Sequence, residues 1–472
     1  MAIYGIRKRI AATGVAVAMS VMVPFAVSAE TLADALVSAY NNSGILEQQR
    51  AVLRTADEDV AIAVAALRPV LNWSSEIEYG SSRLRSASVT TPTTFDETNV
   101  TFNLAAEWLI WDFGRSKLTI EARKESVLAA RQALVSAEQS ILAQAVDAYM
   151  NVRSASENVA LRENNVRVIT EELRAAKDRF EVGEVTRTDV AQAEARLAAA
   201  NSSYAQAQGD LVSMQEYFRQ AVGRLPGQLQ QPPSVPATAK TMAEAKAIAM
   251  RNHPDILQAQ HQVTVAEMGV EITRASMQPT VSLNSVVSLE EVFDSTDFTK
   301  SYALGIEASG PIYQGGRLSA QLRRAIASRD ATRAGLLQTT RAVERQVGAA
   351  FASLKVAGAA RAAYDEQVRA ATVAFRGVRE EATLGSRTTL DVLNAEQELL
   401  NAKANLISAR NSEHVAAYLL LQTMGLLTTQ HLKLNVQRYD PNAYYDQVKS
   451  APAGLSKQGR QLDRMLQGIG KK

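Results

Sequence analysis

The stretch Val70-Leu71-Asn72-Trp73-Ser74-Ser75-Glu76-Ile77-Glu78-Tyr79 decides the fold, because its side chains alternate in character. In an extended strand, Leu71, Trp73, Ile77 and Tyr79 share one face, and Asn72, Ser74, Glu76 and Glu78 share the other. The same alternation returns three times. Val100, Phe102, Leu104, Ala106 and Trp108 oppose Thr101, Asn103 and Glu107. Val281, Leu283, Val287 and Leu289 oppose Ser282, Asn284, Ser288 and Glu290, while Tyr302, Leu304, Ile306 and Ala308 oppose Ala303, Gly305, Glu307 and Ser309. Strands are expected over 70–80, 99–111, 280–291 and 301–312. Each is close to the roughly ten residues that a tilted membrane-crossing strand needs. Two soluble hairpins packed on helices would show the same period. Two features favour a barrel wall around water: the acids keep to the polar face, and Trp73, Trp108 and Trp111 stand near strand ends, where an interfacial aromatic girdle sits.

Four strands cannot close. An open strand edge is not tolerated in hydrocarbon, and the smallest bacterial barrels have about eight strands. Two copies would leave little room inside, whereas three would make twelve strands and a lumen. The chain must therefore combine with copies of itself.

The strands are flanked by heptads. Leu128, Val135, Leu142 and Tyr149 recur every seven residues, and Val152, Val159, Val166, Leu173 and Phe180 continue on a shifted seam. A single helix from Arg115 to about Val182 would be ~100 Å long. After Gly183 the next helix carries Val190, Leu197, Tyr204, Leu211 and Phe218. The corresponding later helix carries Val392, Leu399 and Leu406, with Leu393, Leu400, Ile407 and Leu421 as a second row. Single helices of some 37 residues are expected before each strand pair, over 31–67 and 241–277. Heptads alone would also suit a fibrous coiled coil.

The chain is written twice. Gly114 and Gly316, Gly183 and Gly385, Asp189 and Asp391, and Gly223 and Gly425 are all 202 positions apart. Upstream, Pro69 and Pro279 stand 210 apart, so the first copy has eight extra residues before Gly114. Each copy reads as helix, two strands, very long helix, shorter helix: residues 30–223 and 241–425. Residues 224–240, with Pro226, Pro232, Pro233 and Pro236, read as an extended linker, and 426–472 as a partly disordered tail. Residues 81–95, rich in Ser and Thr, read as an external loop.

At the N-terminus, Arg7-Lys8-Arg9, an apolar run from Ile10 to Val27 and the small residues Val27-Ser28-Ala29 read as a signal peptide over 1–29, the alternative being an uncleaved anchor. Its removal leaves 48 basic residues against 49 acidic, too even for a nucleic-acid binder held by phosphate charge. The absence of Cys excludes thiol chemistry, disulfides and an N-terminal lipid on cysteine, and four scattered His suggest no metal site. There is no phosphate-binding Gly loop and no nucleophile elbow. No enzyme, cofactor or metal is expected.

Together, the signal peptide, the doubled order, the strand-exit pairs Gly114-Arg115 and Gly316-Arg317, and the turns Val182-Gly183…Thr188-Asp189-Val190 and Leu384-Gly385…Leu390-Asp391-Val392 resemble the TolC-type outer membrane factors. The resemblance covers residues 30 to about 435. It implies a mainly α chain with transmembrane β: a trimeric 12-stranded barrel, four strands from each chain, continuous with an α-helical coiled-coil barrel crossing the periplasm of a Gram-negative bacterium. Implied partners are further copies of the chain, outer-membrane lipid, a periplasmic adaptor (membrane fusion) protein, and an inner-membrane ABC or proton-driven transporter. The periplasmic tip would open by untwisting of an inner helix pair. Asp391 then aligns with an acid ringing the narrow entrance, and Arg387 with a base that holds the closed tip. Asp189 occupies the matching place in the first turn. The sequence departs from the family pattern at Asn394, where the prototype has a second acid, and at Ala382, where it has an aromatic residue. Thr186/Asp189 and Thr388/Asp391 also read simply as capping boxes at helix starts. The leading reading is an exit duct for type I secretion, to which the Tyr439-Asp440-Pro441 tail also has a likeness. Drug efflux is the alternative, and a periplasmic coiled-coil scaffold or adaptor without a pore is the alternative of another class.

Overall fold

The computed structural model describes residues 30–85, 91–232, 234–293 and 296–469. The signal-peptide segment 1–29, Pro233 and the middle of the 81–95 loop lie outside the described residues. Six elements come first: α1 (Leu32–Asn42), α2 (Gly44–Ala65), β1 (Val70–Leu84), β2 (Thr93–Trp111), α3 (Arg115–Glu181) and α4 (Arg187–Val222). The order then recurs in α5 (Met242–Asn252), α6 (Pro254–Ala275), β3 (Thr280–Val292), β4 (Phe298–Ser309), α7 (Arg317–Thr383) and α8 (Thr389–Thr423). Two helices follow, α9 (Pro441–Val448) and α10 (Lys457–Ile469).

Each helix expected before a strand pair is in fact two. Ser43 breaks the first with an extended backbone (φ −74°, ψ 114°), and its side chain accepts from the Leu46 amide to cap α2. His253 breaks the second in the same way (φ −68°, ψ 121°), because the proline at 254 disfavours a helical residue before it and suits the first position of α6. The first hairpin is longer than expected: residues 81–84 pair with 93–96, so much of the supposed loop is strand. β4 starts early, at Phe298, and stops at Ser309 instead of 312, since Gly310-Pro311 cannot continue a ladder. The tail also departs from expectation. It carries α9 and α10, and α9 lies on α2, with Tyr444 donating to Glu58 and packing with Ala61 and Val448.

The sheet is antiparallel in the order β1-β2-β3-β4. Its register aligns Trp73 with Leu104, Val287 and Tyr302, and Ser75 with Phe102, Leu289 and Lys300. Residues opposite one another share a face, so Leu71, Trp73, Ile77, Tyr79, Val100, Phe102, Leu104, Trp108, Leu283, Val287, Tyr302, Leu304 and Ile306 make one apolar surface. Glu76, Thr101, Glu290 and Thr299 align on the other face, which also carries Glu78, Glu107 and Glu307. Among the described residues nothing covers the apolar side: Trp73 is 71% exposed and Leu304 76%. Among the described residues, β1 and β4 each have one unpaired edge.

α3 and α7, 67 residues each, start directly after glycines with left-handed φ, Gly114 (84°) and Gly316 (86°). That φ suits glycine and turns the strand exit sharply into the helix. α3 packs on α1, α2, α4, α6 and α8, and α7 on α5, α6 and α8. Midway along, Leu142, Tyr149, Phe218, Leu420, Leu421 and Met424 form the main core with alanines of α1 and α5. Small residues let these helices approach closely. The linker is pinned here, Tyr149 Oη lying 2.7 Å from the Gln230 carbonyl and 3.0 Å from that of Glu30. Among the described residues no helix is long and apolar enough to cross a membrane.

Candidate channel entrance

The far end of the helices consists of two turns. In the first, Gly183 (φ 80°) ends α3 and Thr186 starts α4; in the second, Gly385 (φ 79°) ends α7 and Thr388 starts α8. Both helix starts are capping boxes. The Asp391 carboxylate accepts from the Thr388 amide at 3.0 Å and its hydroxyl at 2.9 Å, and the Asp391 amide donates back to Thr388 Oγ1 at 3.2 Å. Asp189 does the same with Thr186, at 2.9, 2.7 and 3.3 Å. The Thr388 amide and hydroxyl, aided by the Arg387 charge, hold Asp391 below the usual carboxylate range. Thr186 does this for Asp189. Both acids are partly exposed to solvent and ionised at neutral pH.

Arg387 is also exposed, and its partner is Glu381, at 2.9 Å, on the end of α7. Asn394 lies one turn into α8, where its Oδ1 accepts from Arg196 of α4 at 3.1 Å. Above the turns, Leu393 packs on Ile169, Leu173 and Ala193, with Val190 and Leu197 beside them. Asn165 of α3 donates to Glu396 of α8 in a buried contact, and Arg379 of α7 meets Glu172 of α3 at 3.1 Å. These contacts fasten the α7/α8 pair to the α3/α4 pair. Burial outweighs the hydrogen bond from Asn165 and holds the Glu396 carboxyl above its ordinary range. Ala382, near the end of α7, is buried.

Arg387, Asp391 and Asn394 thus share one tip, and Asp189 sits on the other. The sequence reading missed Arg196, Glu381, Asn165 and Glu396. Glu396 was detectable as an acid between Leu393 and Leu400 on the apolar seam. Arg196 carried no signal, because its partner lies 198 positions away.

The tryptophans are at the opposite end, all towards the helices. Trp73 stacks on Phe102 at 6.3 Å, Trp111 meets Phe113 edge-on at 6.0 Å, and Trp108 Nε1 donates to the Leu67 carbonyl at 3.1 Å. His253 caps α6 and His261 meets Glu125 at 2.8 Å; among the described residues no group of acids and histidines could hold a metal.

A sheet with one bare apolar face, set on helices about 100 Å long and ending in acidic turns, is the architecture of an outer-membrane channel subunit with a periplasmic extension. Comparison with known proteins agrees. The model of the family described as "Outer membrane efflux protein" matches residues 35–224 and 247–426. The outer membrane efflux protein BepC of Brucella suis is 34% identical over 450 residues, 95% of this chain and 97% of BepC. The proteases secretion protein PrtF of Dickeya chrysanthemi is 26% identical over 85% of this chain and 89% of its own. The CmeC outer membrane channel of Campylobacter jejuni shares the fold, with TM-score 0.74 at 17% identity, over 89% of this chain and 90% of CmeC. The chain belongs to the outer membrane efflux protein family, a family of transport ducts, and resides in the Gram-negative outer membrane with a long periplasmic portion.

Proposed function

We propose that three copies join β4 of one to β1 of the next, closing a twelve-stranded barrel and ringing the helices into one conduit from the periplasm to the outside. The observation that carries this is the pair of free strand edges bounding a continuous apolar face, since an unpaired edge in lipid costs several kcal/mol per unsatisfied group. The chain is then two structural repeats, 30–223 and 241–425, joined by 224–240. The doubled element order and the two-part family match support that division.

The duct works with a periplasmic adaptor and an inner-membrane transporter, and its leading role is type I secretion of proteins. The extended likeness to PrtF, a protein named for protease secretion, supports this. Small-molecule efflux is the second reading, favoured by the higher identity with BepC, which is named an efflux protein. At the entrance, three Asp391 carboxylates form a ring that favours cations, Arg387 and Asn394 hold the tip closed, and Asp189 lies on the other hairpin. Trp73, Trp108 and Trp111 belong to the periplasmic aromatic girdle. A poreless scaffold would have no use for the apolar face.

The test is extraction into mild detergent, measurement of mass, and insertion into a planar bilayer. A trimer that conducts ions is expected. A stable single copy, or a trimer that never conducts, would overturn the proposal.

A further inference from the structure

Helix α10 stands apart from the rest of the helical body. Leu462 seats it on Ala61, Tyr444 and Val448, but Met465 and Leu466, on the same stripe, are left 37% and 38% exposed. Leu455, just before the helix, is 94% exposed. Lys457, Arg460 and Arg464 line the opposite side, all exposed and without an ion pair among the described residues; Asp463 is the only acid in the helix.

Two consecutive residues fix where this helix sits. The Leu67 carbonyl accepts the indole N–H of Trp108 at 3.1 Å. The next residue, Arg68, donates to the carbonyls of Ser450 and Ala451, with Nη1 2.6 Å from the latter. Val70, two residues on, opens β1. The base of the tail is therefore tied to the backbone that supports an interfacial tryptophan, at the junction of helices and sheet. On the reading of the sheet as a barrel wall, that junction lies at the headgroups of the periplasmic leaflet.

From this placement we infer that α10 docks on anionic phospholipid headgroups of the periplasmic leaflet, with Lys457, Arg460 and Arg464 meeting the phosphates and Leu455 entering the acyl boundary. Charge complementarity, and the tie through Leu67 and Arg68 to Trp108 on the apolar face of the sheet, single out this occupant. A short amphipathic basic helix has too little apolar area to insert alone and depends on the sum of apolar and electrostatic contacts. Long cationic side chains reach headgroups while their stems stay on apolar surface. Here the barrel supplies the principal anchor, and α10 adds a preference for anionic lipid around the rim.

The chain has no Cys, so Leu455→Cys gives one attachment point for a polarity-sensitive fluorophore on the full-length protein. The labelled protein is reconstituted in phosphatidylethanolamine vesicles with and without one-third phosphatidylglycerol. A blue shift that appears only with phosphatidylglycerol, and is lost both in 1 M salt and in Lys457→Glu/Arg460→Glu/Arg464→Glu, is expected. An unshifted label in both vesicle types overturns the inference. So does a shift that ignores composition and charge, or one already present in detergent, which would place Leu455 against protein. Ion conductance of the same vesicles separates failed docking from failure of the barrel reading.

Discussion

Arg196 Nη2 donates to Asn394 Oδ1 at 3.1 Å, joining α4 to α8 one turn inside the entrance. The bond crosses between the two hairpins of one chain, and such crossings must break if the α7/α8 pair swings outward. Asn394→Ala is expected to raise resting conductance in planar bilayers, with Arg196→Ala giving the same phenotype and the double variant little more. The bond is exposed and worth only about 0.5–1.5 kcal/mol, so the change should be in open probability and not in folding. Additive effects would mean that the two side chains act separately.

Arg387 and Glu381 form a half-exposed pair within one tip. Such solvent-screened pairs contribute little to folding, so any effect should appear in gating. Arg387→Glu should increase resting conductance, and the swap Arg387→Glu/Glu381→Arg should return it to the parental level. If the swap fails, Arg387 holds the tip through a contact outside its own chain.

Asp391 should set ion preference. Asp391→Ala is expected to lower cation over anion permeability and, by removing the reciprocal half of the capping box at the start of α8, to lower the thermal midpoint slightly. Its hydrogen bonds from Thr388 hold the carboxyl below the usual range. Acidification should therefore leave cation preference intact until below about pH 4, the ordinary aspartate value. Loss of preference near pH 6 would assign the selectivity to another group.

Asp57 is fully buried in α2, and neither carboxylate oxygen meets a donor among the described residues. Burial pushes its pKa up to about 6, against the pull of the Arg131 charge. Between about pH 4 and 6 the folded state then holds a proton that the unfolded chain has lost, so stability falls as pH rises through that window. Asp57→Asn should stabilise the protein at pH 7.5 by on the order of 1–3 kcal/mol, read as a higher thermal midpoint, and flatten the pH dependence. A lower midpoint would mean that the ionised form is needed to balance Arg131.

Glu396 and Asn165 share a buried contact between α8 and α3. With the carboxyl held above its ordinary range, Glu396→Gln should be tolerated, whereas Glu396→Ala should destabilise by about 1–3 kcal/mol through the stranded Asn165 amide. Equal losses in both variants would show that the negative charge itself is required.

The main architecture was legible in the sequence because it rests on local periods. Alternation from Val70 and Val281 marks strands, seven-residue spacing from Leu128 and Val190 marks long packed helices, and Gly183 and Gly385 mark the turns between them. These patterns depend only on side-chain direction along one element, so they survive without knowledge of neighbours. The same logic located Asp391, whose capping partner is three residues away. It failed where a competing local signal was overlooked: Ser43 and Pro254 split helices that the apolar pattern alone would run together. Only the tertiary structure decided which elements meet. Arg196 with Asn394, Asn165 with Glu396, and Arg68 with the backbone at Ser450 and Ala451 join residues some two to four hundred positions apart. Such pairings follow from how finished helices stack and where the tail returns, geometry that no local spacing encodes.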